Sequence, residues 1–248
     1  MQIEEVNECM EKESENMTGW SEIISTAMLQ IDDVRLNEQL AASPAQFFRR
    51  MSLYLLNAMP MLNRPPELAG ALKNGMREPQ YTDCEWESDE TAVVGETVTV
   101  ETGITGYDLC SVTARTADGF AERAENDARY DKETGKVTFT LQENGPTDYS
   151  IDFYTDGTFE HITPAQERLF ALAIAVVWDE RFSRNWLNMQ MKIKDSSFET
   201  VNESNYTEKI TDRLMRNKQA FHDELRRYEQ LCAYANVMPE HGRKHTMI

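Results

Sequence analysis

The stretch that decides the fold is TPAQERLFALAIAVVW, residues 163–178. Thr163 can cap a helix, Pro164 suits the first helical position, and Gln166 can close a capping box. Residues 169–178 are apolar on every side, which is typical of a helix that is buried all round. We therefore expect a central core helix here, covered either by the rest of the chain or by a neighbouring subunit.

A second copy of this helix-start pattern precedes another predicted helix. It reads Ser43-Pro44-Ala45-Gln46, and the helix behind it should end at Pro60. Upstream, apolar residues between Trp20 and Val34 recur at three- and four-residue spacing, which predicts a further helix. A short helix is expected at 67–73. Residues 195–204 should form a loop that leads into a charged helix ending near residue 235.

Between the helical segments the apolar period changes to two, which is typical of strands. Strands are expected at 94–101, 109–115, 136–141 and 149–154. Asp156-Gly157 predicts a hairpin turn. Asp152, Asp156 and Gly157 also match three positions of a calcium loop, but Tyr154 and Thr163 stand where that loop needs carboxylates, so the hairpin is favoured. These strands predict a small sandwich or a curled antiparallel sheet.

Charge divides the chain into unequal parts. The net charge is −18, of which residues 78–160 carry −15, whereas residues 41–77 carry +4. The chain is therefore expected to be α+β, with N- and C-terminal helical segments that pack together around an inserted antiparallel β module. The expected parts are an acidic arm (1–17), a helical segment (18–77), a linker (78–90), the acidic β module (91–162), a second helical segment (163–235) and a tail (236–248).

The sequence carries no recognisable catalytic, cofactor-binding or metal-ligating motif. Its four cysteines are scattered, its glycines do not cluster into a phosphate loop, and no serine or cysteine lies in a nucleophile elbow. The longest apolar run has ten residues, about half of the roughly 20 that a membrane helix needs. The N-terminus does not resemble a signal peptide. We expect no enzyme activity, no cofactor, no membrane contact and folding in a cytoplasm.

The candidate functional residues form a possible interface rather than an active site. The basic segment, residues 41–77, could bind an acidic partner surface, including the acidic module of another copy. Two tryptophans later in the chain lie at helical spacing and could add apolar contact area. The competing interpretation is that the arginines are ordinary solvated charges and that the tryptophans belong to the core. The six interface candidates are Arg49, Arg50, Arg64, Arg77, Trp178 and Trp186.

The order of several segments resembles the neck or connector proteins of tailed bacteriophages. The segments that carry the resemblance are residues 47–50 and 63–66, a β insertion ending at 149–159, residues 178–182, and residues 194–198 leading into a charged helix with Asn205 and Tyr228. The resemblance implies a ring of about a dozen copies that docks on a portal protein and contacts tail or neck proteins. DNA would pass through its channel without specific binding, and the protein would lie in the neck of the virion after assembly in the host cytoplasm.

Two other classes of function remain open from the sequence. The chain could be another tail or baseplate structural protein, which would share most of these features. Alternatively, the β sandwich could be a binding module for carbohydrate or protein. An enzyme is the least favoured class, because paired carboxylates arise by chance among the twenty acids of residues 78–160.

Overall fold

The computed structural model of this 248-residue chain describes residues 17–31, 33–115, 121–123, 128–160, 162–194 and 203–237. The architecture is α+β, as the sequence predicted: a helical layer packs against one face of a two-sheet β module. The predicted acidic arm and C-terminal tail lie outside the described residues, except for Met17 and residues 236–237. The predicted loop at 195–204 lies outside them up to residue 202.

Helices predominate at both ends of the described chain, and strands predominate in its middle. The helices are α1 (Trp20–Ile31), α2 (Val34–Ala42), α3 (Pro44–Ala58), a 3₁₀ turn (Met59–Leu62), α4 (Pro66–Asn74), α5 (Pro164–Lys194) and α6 (Glu203–Val237). The strands are β1 (Met17–Gly19), β2 (Met76–Arg77), β3 (Gln80–Glu87), β4 (Thr97–Glu101), β5 (Leu109–Arg115), β6 (Ala121–Arg123), β7 (Arg129–Asp131), β8 (Lys136–Thr140), β9 (Asp148–Thr155) and β10 (Thr158–Glu160).

Helix α5 is the centre of the helical layer. Its residues 169–176 are all buried, and α1, α3 and α6 of the same chain pack against it. The apolar surface predicted at this helix is therefore covered within the chain, and it does not need a neighbouring subunit. Each large apolar side chain buried here contributes roughly 1.5–3 kcal/mol to folding.

The β module is a sandwich with its own core. One sheet has the order β3-β9-β5-β6 and the other β4-β8-β7, with antiparallel pairing in both. Strand β9 is buried on both faces. Tyr149, Ile151 and Phe153 point into the sandwich core, so the alternate residues Asp152 and Tyr154 face the helical layer.

Side chains from the β module cap two helices of the helical layer. The backbone N–H of Ala45 in α3 donates to Ser111 Oγ of β5, at 2.9 Å. The N–H and hydroxyl of Ser21 in α1 donate to the carboxylate of Asp156, which follows β9. The backbone N–H groups of the first helical turn need hydrogen-bond acceptors from outside the helix. In α3 and α1 these acceptors lie 66 and 135 residues away in the chain. The helical layer and the sandwich are thus joined by hydrogen bonds as well as by packing.

The predicted linker at 78–90 is wrong, because most of it is the edge strand β3. Along this strand Cys84 and Trp86 contact the sandwich core, while Asp83, Glu85 and Glu87 are exposed on the other face. The alternation has the period of two expected of a half-buried strand. The many acidic residues of this segment are typical of a solvent-exposed linker, which explains the wrong prediction.

The predicted hairpin at Asp156-Gly157 is also wrong. Strand β9 pairs with β3 and β5, whereas β10 pairs with β1 and β2 in a separate three-stranded sheet. The turn therefore carries the chain from one sheet to another. Gly157 is needed for close approach, since a Cβ there would lie 2.9 Å from the Trp20 ring and 2.8 Å from the Arg77 carbonyl oxygen.

The two similar helix-start patterns use their glutamines differently. At α5 the capping box forms: the N–H of Thr163 donates to Gln166 Oε1 at 2.7 Å, and the N–H of Gln166 donates to Thr163 Oγ1 at 3.3 Å. At α3 the predicted start is right but the box is absent, because Gln46 bonds elsewhere and Ser43 makes no side-chain cap. Val34, expected on the apolar face of α1, instead begins α2 and is 69% exposed.

Candidate functional site: an arginine-lined groove

A groove of about 570 Å³ lies where α3, β9 and α5 meet. Its volume is in the range typical of ligand or peptide sites. We call it the arginine groove. It is lined by Gln46, Arg49, Arg50, Leu53 and Tyr54 of α3, by Asp152 of β9, and by Trp178 and Arg181 of α5.

The helical period of α3 places its groove residues together. Gln46, Arg49, Arg50 and Leu53 are spaced by three or four residues, so they share one side of the helix. Buried apolar residues from other positions of α3 hold the helix on the core, among them Phe47, Met51 and Leu55. The buried stripe thus fixes the orientation in which the polar side faces outward.

A buried carboxylate forms the polar floor of the groove. Asp152 is nearly inaccessible, and it accepts hydrogen bonds from Gln46 Nε2 and from the Tyr81 hydroxyl, each at 2.5 Å. Burial, followed by the hydrogen bond to Asp152, raises the pKa of Tyr81 well above its ordinary value, so this hydroxyl stays protonated as a donor. Asp152 therefore holds Gln46 and Tyr81 in fixed positions.

The three guanidinium groups of the groove rest on aromatic rings or an amide. The Arg49 guanidinium lies 3.5 Å from the centroid of the Tyr81 ring, and that of Arg181 lies 5.4 Å from the Tyr54 ring. Arg50 Nη1 donates to Gln39 Oε1 at 2.8 Å. Within the described part of the chain, none of the three forms an ion pair with a carboxylate. Their charge is therefore available to an anionic partner.

Apolar surface accompanies this charge. The Leu53 side chain is 53% exposed, and the rings of Tyr54 and Trp178 lie 5.1 Å apart at the base of the groove. An exposed leucine beside aromatic rings can bury an apolar side chain of a partner, while the arginines bind its carboxylates. The groove thus suits an acidic surface with apolar side chains better than a bare inorganic anion.

An acidic stripe lies beside the groove on strand β3. The stripe consists of Asp83, Glu85 and Glu87, all exposed. Strand pairing places Asp83 opposite Asp152 and Tyr81 opposite Tyr154, so the stripe points to the same side of the sheet as the groove floor. Because β3 is at the edge of its sheet, these charges also discourage edge-to-edge strand pairing.

The structure brings three of the six predicted interface residues together. Arg49, Arg50 and Trp178 line the groove, whereas Arg64 and Arg77 are exposed in a loop and in β2, away from it. The side chain of Trp186 lies outside the described set. Arg181 also lines the groove, and its position one turn after Trp178 is the signal in the sequence that could have indicated it.

No other chemical site emerges from the described residues. They contain no group of three or more histidine, cysteine or acidic side chains that could hold a metal ion. Asp152 and Asp156, the two acids of the rejected calcium loop, are used to hold the groove floor and to cap α1. Among the described helices, none combines the length and the apolar character that spanning a membrane requires.

Comparison with known proteins identifies no relative of this chain. No protein-family model matches it, and neither the curated proteins nor the solved structures contain a significant match.

Proposed function

We propose that the chain is a structural, non-enzymatic subunit of a tailed-bacteriophage neck, a connector between portal and tail. In this role the arginine groove docks an acidic surface of a neighbouring chain. The observation that carries the docking role is the set of three arginines without carboxylate partners in the described residues, placed around an exposed leucine. The connector assignment itself rests on the resemblance in segment order.

The distribution of charge supports this role. The chain carries −18 overall, so a groove lined by arginines stands out against an acidic background and can select a partner by electrostatic complementarity. An acidic exterior also suits a channel wall along which DNA slides without binding, because phosphate binding needs clustered Lys and Arg. The proposed location is the virion neck, reached by assembly in the host cytoplasm.

The contacts between subunits of such an assembly are proposed to form at the arginine groove and not at the apolar part of helix α5. Residues 169–176 of that helix are already covered by α1, α3 and α6. The groove lies beside α5 and uses only its Trp178 and Arg181. Contacts between subunits would then be partly polar and sensitive to salt.

The proposal is tested by imaging and by charge reversal. Negative-stain images of the full chain mixed with portal rings should show decorated portals that keep a central hole. Replacing Arg49 and Arg50 together by Glu should abolish the decoration, whereas the matched change Arg64→Glu, outside the groove, should leave it intact. A chain that stays monomeric and ignores portal rings would overturn the connector proposal.

A further inference from the structure

We propose that the acidic surface docked by the arginine groove is the acidic stripe of a second copy of this chain, with the two copies related by a twofold axis. This inference rests on the proposed docking role of the groove and names its partner. It uses two surfaces on the described residues, the groove and the exposed face of β3.

The two surfaces are neighbours on one face of the molecule. Arg49 of the groove stacks on Tyr81, and Asp83 follows two residues later on the same face of β3. A strand advances about 3.3 Å per residue, so Asp83 lies about 7 Å beyond Tyr81 and Glu87 about 13 Å farther. One face therefore carries a basic half and an acidic half side by side.

Within the described residues, two acids of the stripe and the groove arginines keep charges that no ion pair uses. Among the described residues, Asp83 and Glu87 form no ion pairs, and neither do the groove arginines. Asp83 is held in place by the β3–β9 pairing, and Arg49 stacks on Tyr81 instead of pairing with it. The stripe cannot fold back over its own groove, which leaves both surfaces able to pair with complementary charges of another molecule.

A twofold axis pairs the basic half and the acidic half of each copy with the opposite half of the other copy in one interface. When a basic and an acidic patch lie side by side, a rotation by 180° about an axis between them places each patch on its opposite in the partner. A second copy therefore offers two charge-complementary contacts, whereas an unrelated acidic partner would use only the groove. Leu53, exposed in the groove, would be buried in each half of the contact.

The contact forms pairs and does not by itself close a ring. A ring requires head-to-tail contacts between different surfaces, so a connector ring built from these pairs would need a further interface. Pairing through the face of β3 also differs from strand addition at its edge, because the stripe consists of side chains that point away from the sheet plane.

The test uses the full chain and measures its mass in solution by sedimentation equilibrium. The wild-type chain should form a dimer that weakens as NaCl rises from about 0.1 M to about 0.5 M, because exposed charges are screened. Reversing the groove (Arg49→Glu with Arg50→Glu) or the stripe (Asp83→Lys with Glu87→Lys) should each raise the dissociation constant at least about tenfold. The change Arg64→Glu serves as the matched control and should leave it unaltered.

An equimolar mixture of the two reversed variants provides the decisive measurement. In the mixed pair, Glu in the groove of one copy meets Lys in the stripe of the other, and the second contact keeps its native charges. A heterodimer should therefore form at least as tightly as the wild-type dimer. Circular dichroism checks that both variants fold. A stripe variant that does not fold is replaced by Asp83→Asn with Glu87→Gln, and a groove variant that does not fold by Arg49→Gln with Arg50→Gln; each neutral pair should weaken the dimer.

The outcomes separate this inference from the proposed function. A wild-type chain that is monomeric at low salt, or mixed variants that fail to pair, would overturn the second-copy inference. If the groove reversal nevertheless abolishes binding to portal rings, the docking role stands with a different partner. If both homotypic pairing and portal binding survive the reversal, the groove is not the docking site.

Discussion

The buried ion pair between α5 and α6 gives the sharpest prediction of this structure. Arg213 Nη2 lies 2.6 Å from Oδ1 of Asp179, whose side chain is fully buried, and Asn217 Nδ2 donates to Oδ2 at 2.7 Å. Arg213 also donates to the backbone carbonyl of Ile31 at the end of α1, at 3.2 Å. One arginine thus joins three helices. Replacing it by Met keeps the length of the side chain and removes its charge.

Arg213→Met should lower the free energy of unfolding by about 3–5 kcal/mol. Breaking one partner of a buried pair leaves the other charge without compensation, and this range is typical of that change. The remaining bond from Asn217 favours the lower end, while the lost bond to Ile31 adds about 1 kcal/mol. The matched control is Lys218→Met, whose partner Glu180 lies 2.8 Å away but whose side chain is 39% exposed. A surface pair of this kind contributes about 0–1 kcal/mol.

The cost of Arg213→Met should also depend on pH. Burial raises the pKa of Asp179 above its ordinary value, and Arg213 and Asn217 oppose this shift. A carboxyl with a raised pKa in the folded state favours folding below its unfolded pKa, and this contribution is lost as pH rises through the folded pKa. Removing Arg213 raises the folded pKa further. The variant should therefore lose less stability at about pH 5 than at about pH 8, where Asp179 is driven to ionise.

Urea unfolding followed by circular dichroism at both pH values measures these differences. Adding Asp179→Asn to Arg213→Met should recover part of the loss at pH 8, because no buried charge then remains. The reasoning is refuted if Arg213→Met costs no more than Lys218→Met, or if its cost is the same at both pH values.

Four further changes test how the β module holds the helical layer and how the two glutamines differ. Asp156→Ala should cost about 2–3 kcal/mol in urea unfolding, because Ser21 loses the acceptor of its N–H and hydroxyl. Gly157→Ala should cost about 1–3 kcal/mol, since its Cβ would overlap the Trp20 ring; an unchanged midpoint would contradict the close approach. Gln166→Ala should cost about 1–2 kcal/mol through its capping box, whereas Gln46→Ala should leave the helix content measured by circular dichroism unchanged and alter the groove instead.

The sequence predicted elements whose periodicity is produced by burial alone. The α+β class, the start of α5 and the strand β5 are confirmed, because apolar periods of 3.6 and 2 report directly which face is buried. Strand β3 was missed because Asp83, Glu85 and Glu87 hid the alternation of Cys84 and Trp86. The domain boundary predicted at residues 78–90 was inferred from the charges on the exposed face of this strand. Those charges do not show that its backbone is paired in a sheet.

The groove could be predicted only in part because its geometry depends on distant partners. Arg49 and Arg50 are recognisable in the sequence as part of a basic segment. The sequence near Gln46, however, does not show that its side chain will bond to Asp152 instead of closing a capping box. The similar pattern at Gln166 is completed locally, because its Oε1 accepts from the Thr163 N–H while its Nε2 donates to the distant Tyr228 hydroxyl. Long-range hydrogen bonds of this kind leave no periodic signal in the sequence.

The position of the groove at the boundary between the two halves changes how the β module should be studied. A fragment of residues 91–162, which follows the predicted module, would lack β3 and so leave β9 without its partner on one side. It would also expose Asp152 and Tyr154, which face the helical layer, and remove Ser111 and Asp156 from the helices they cap. Loss of binding by such a fragment would therefore say nothing about the sandwich as a binding module. Point changes in the full chain, such as the reversal of Arg49 and Arg50, remove no strand and no helix-capping side chain, so they test the surface within the complete fold.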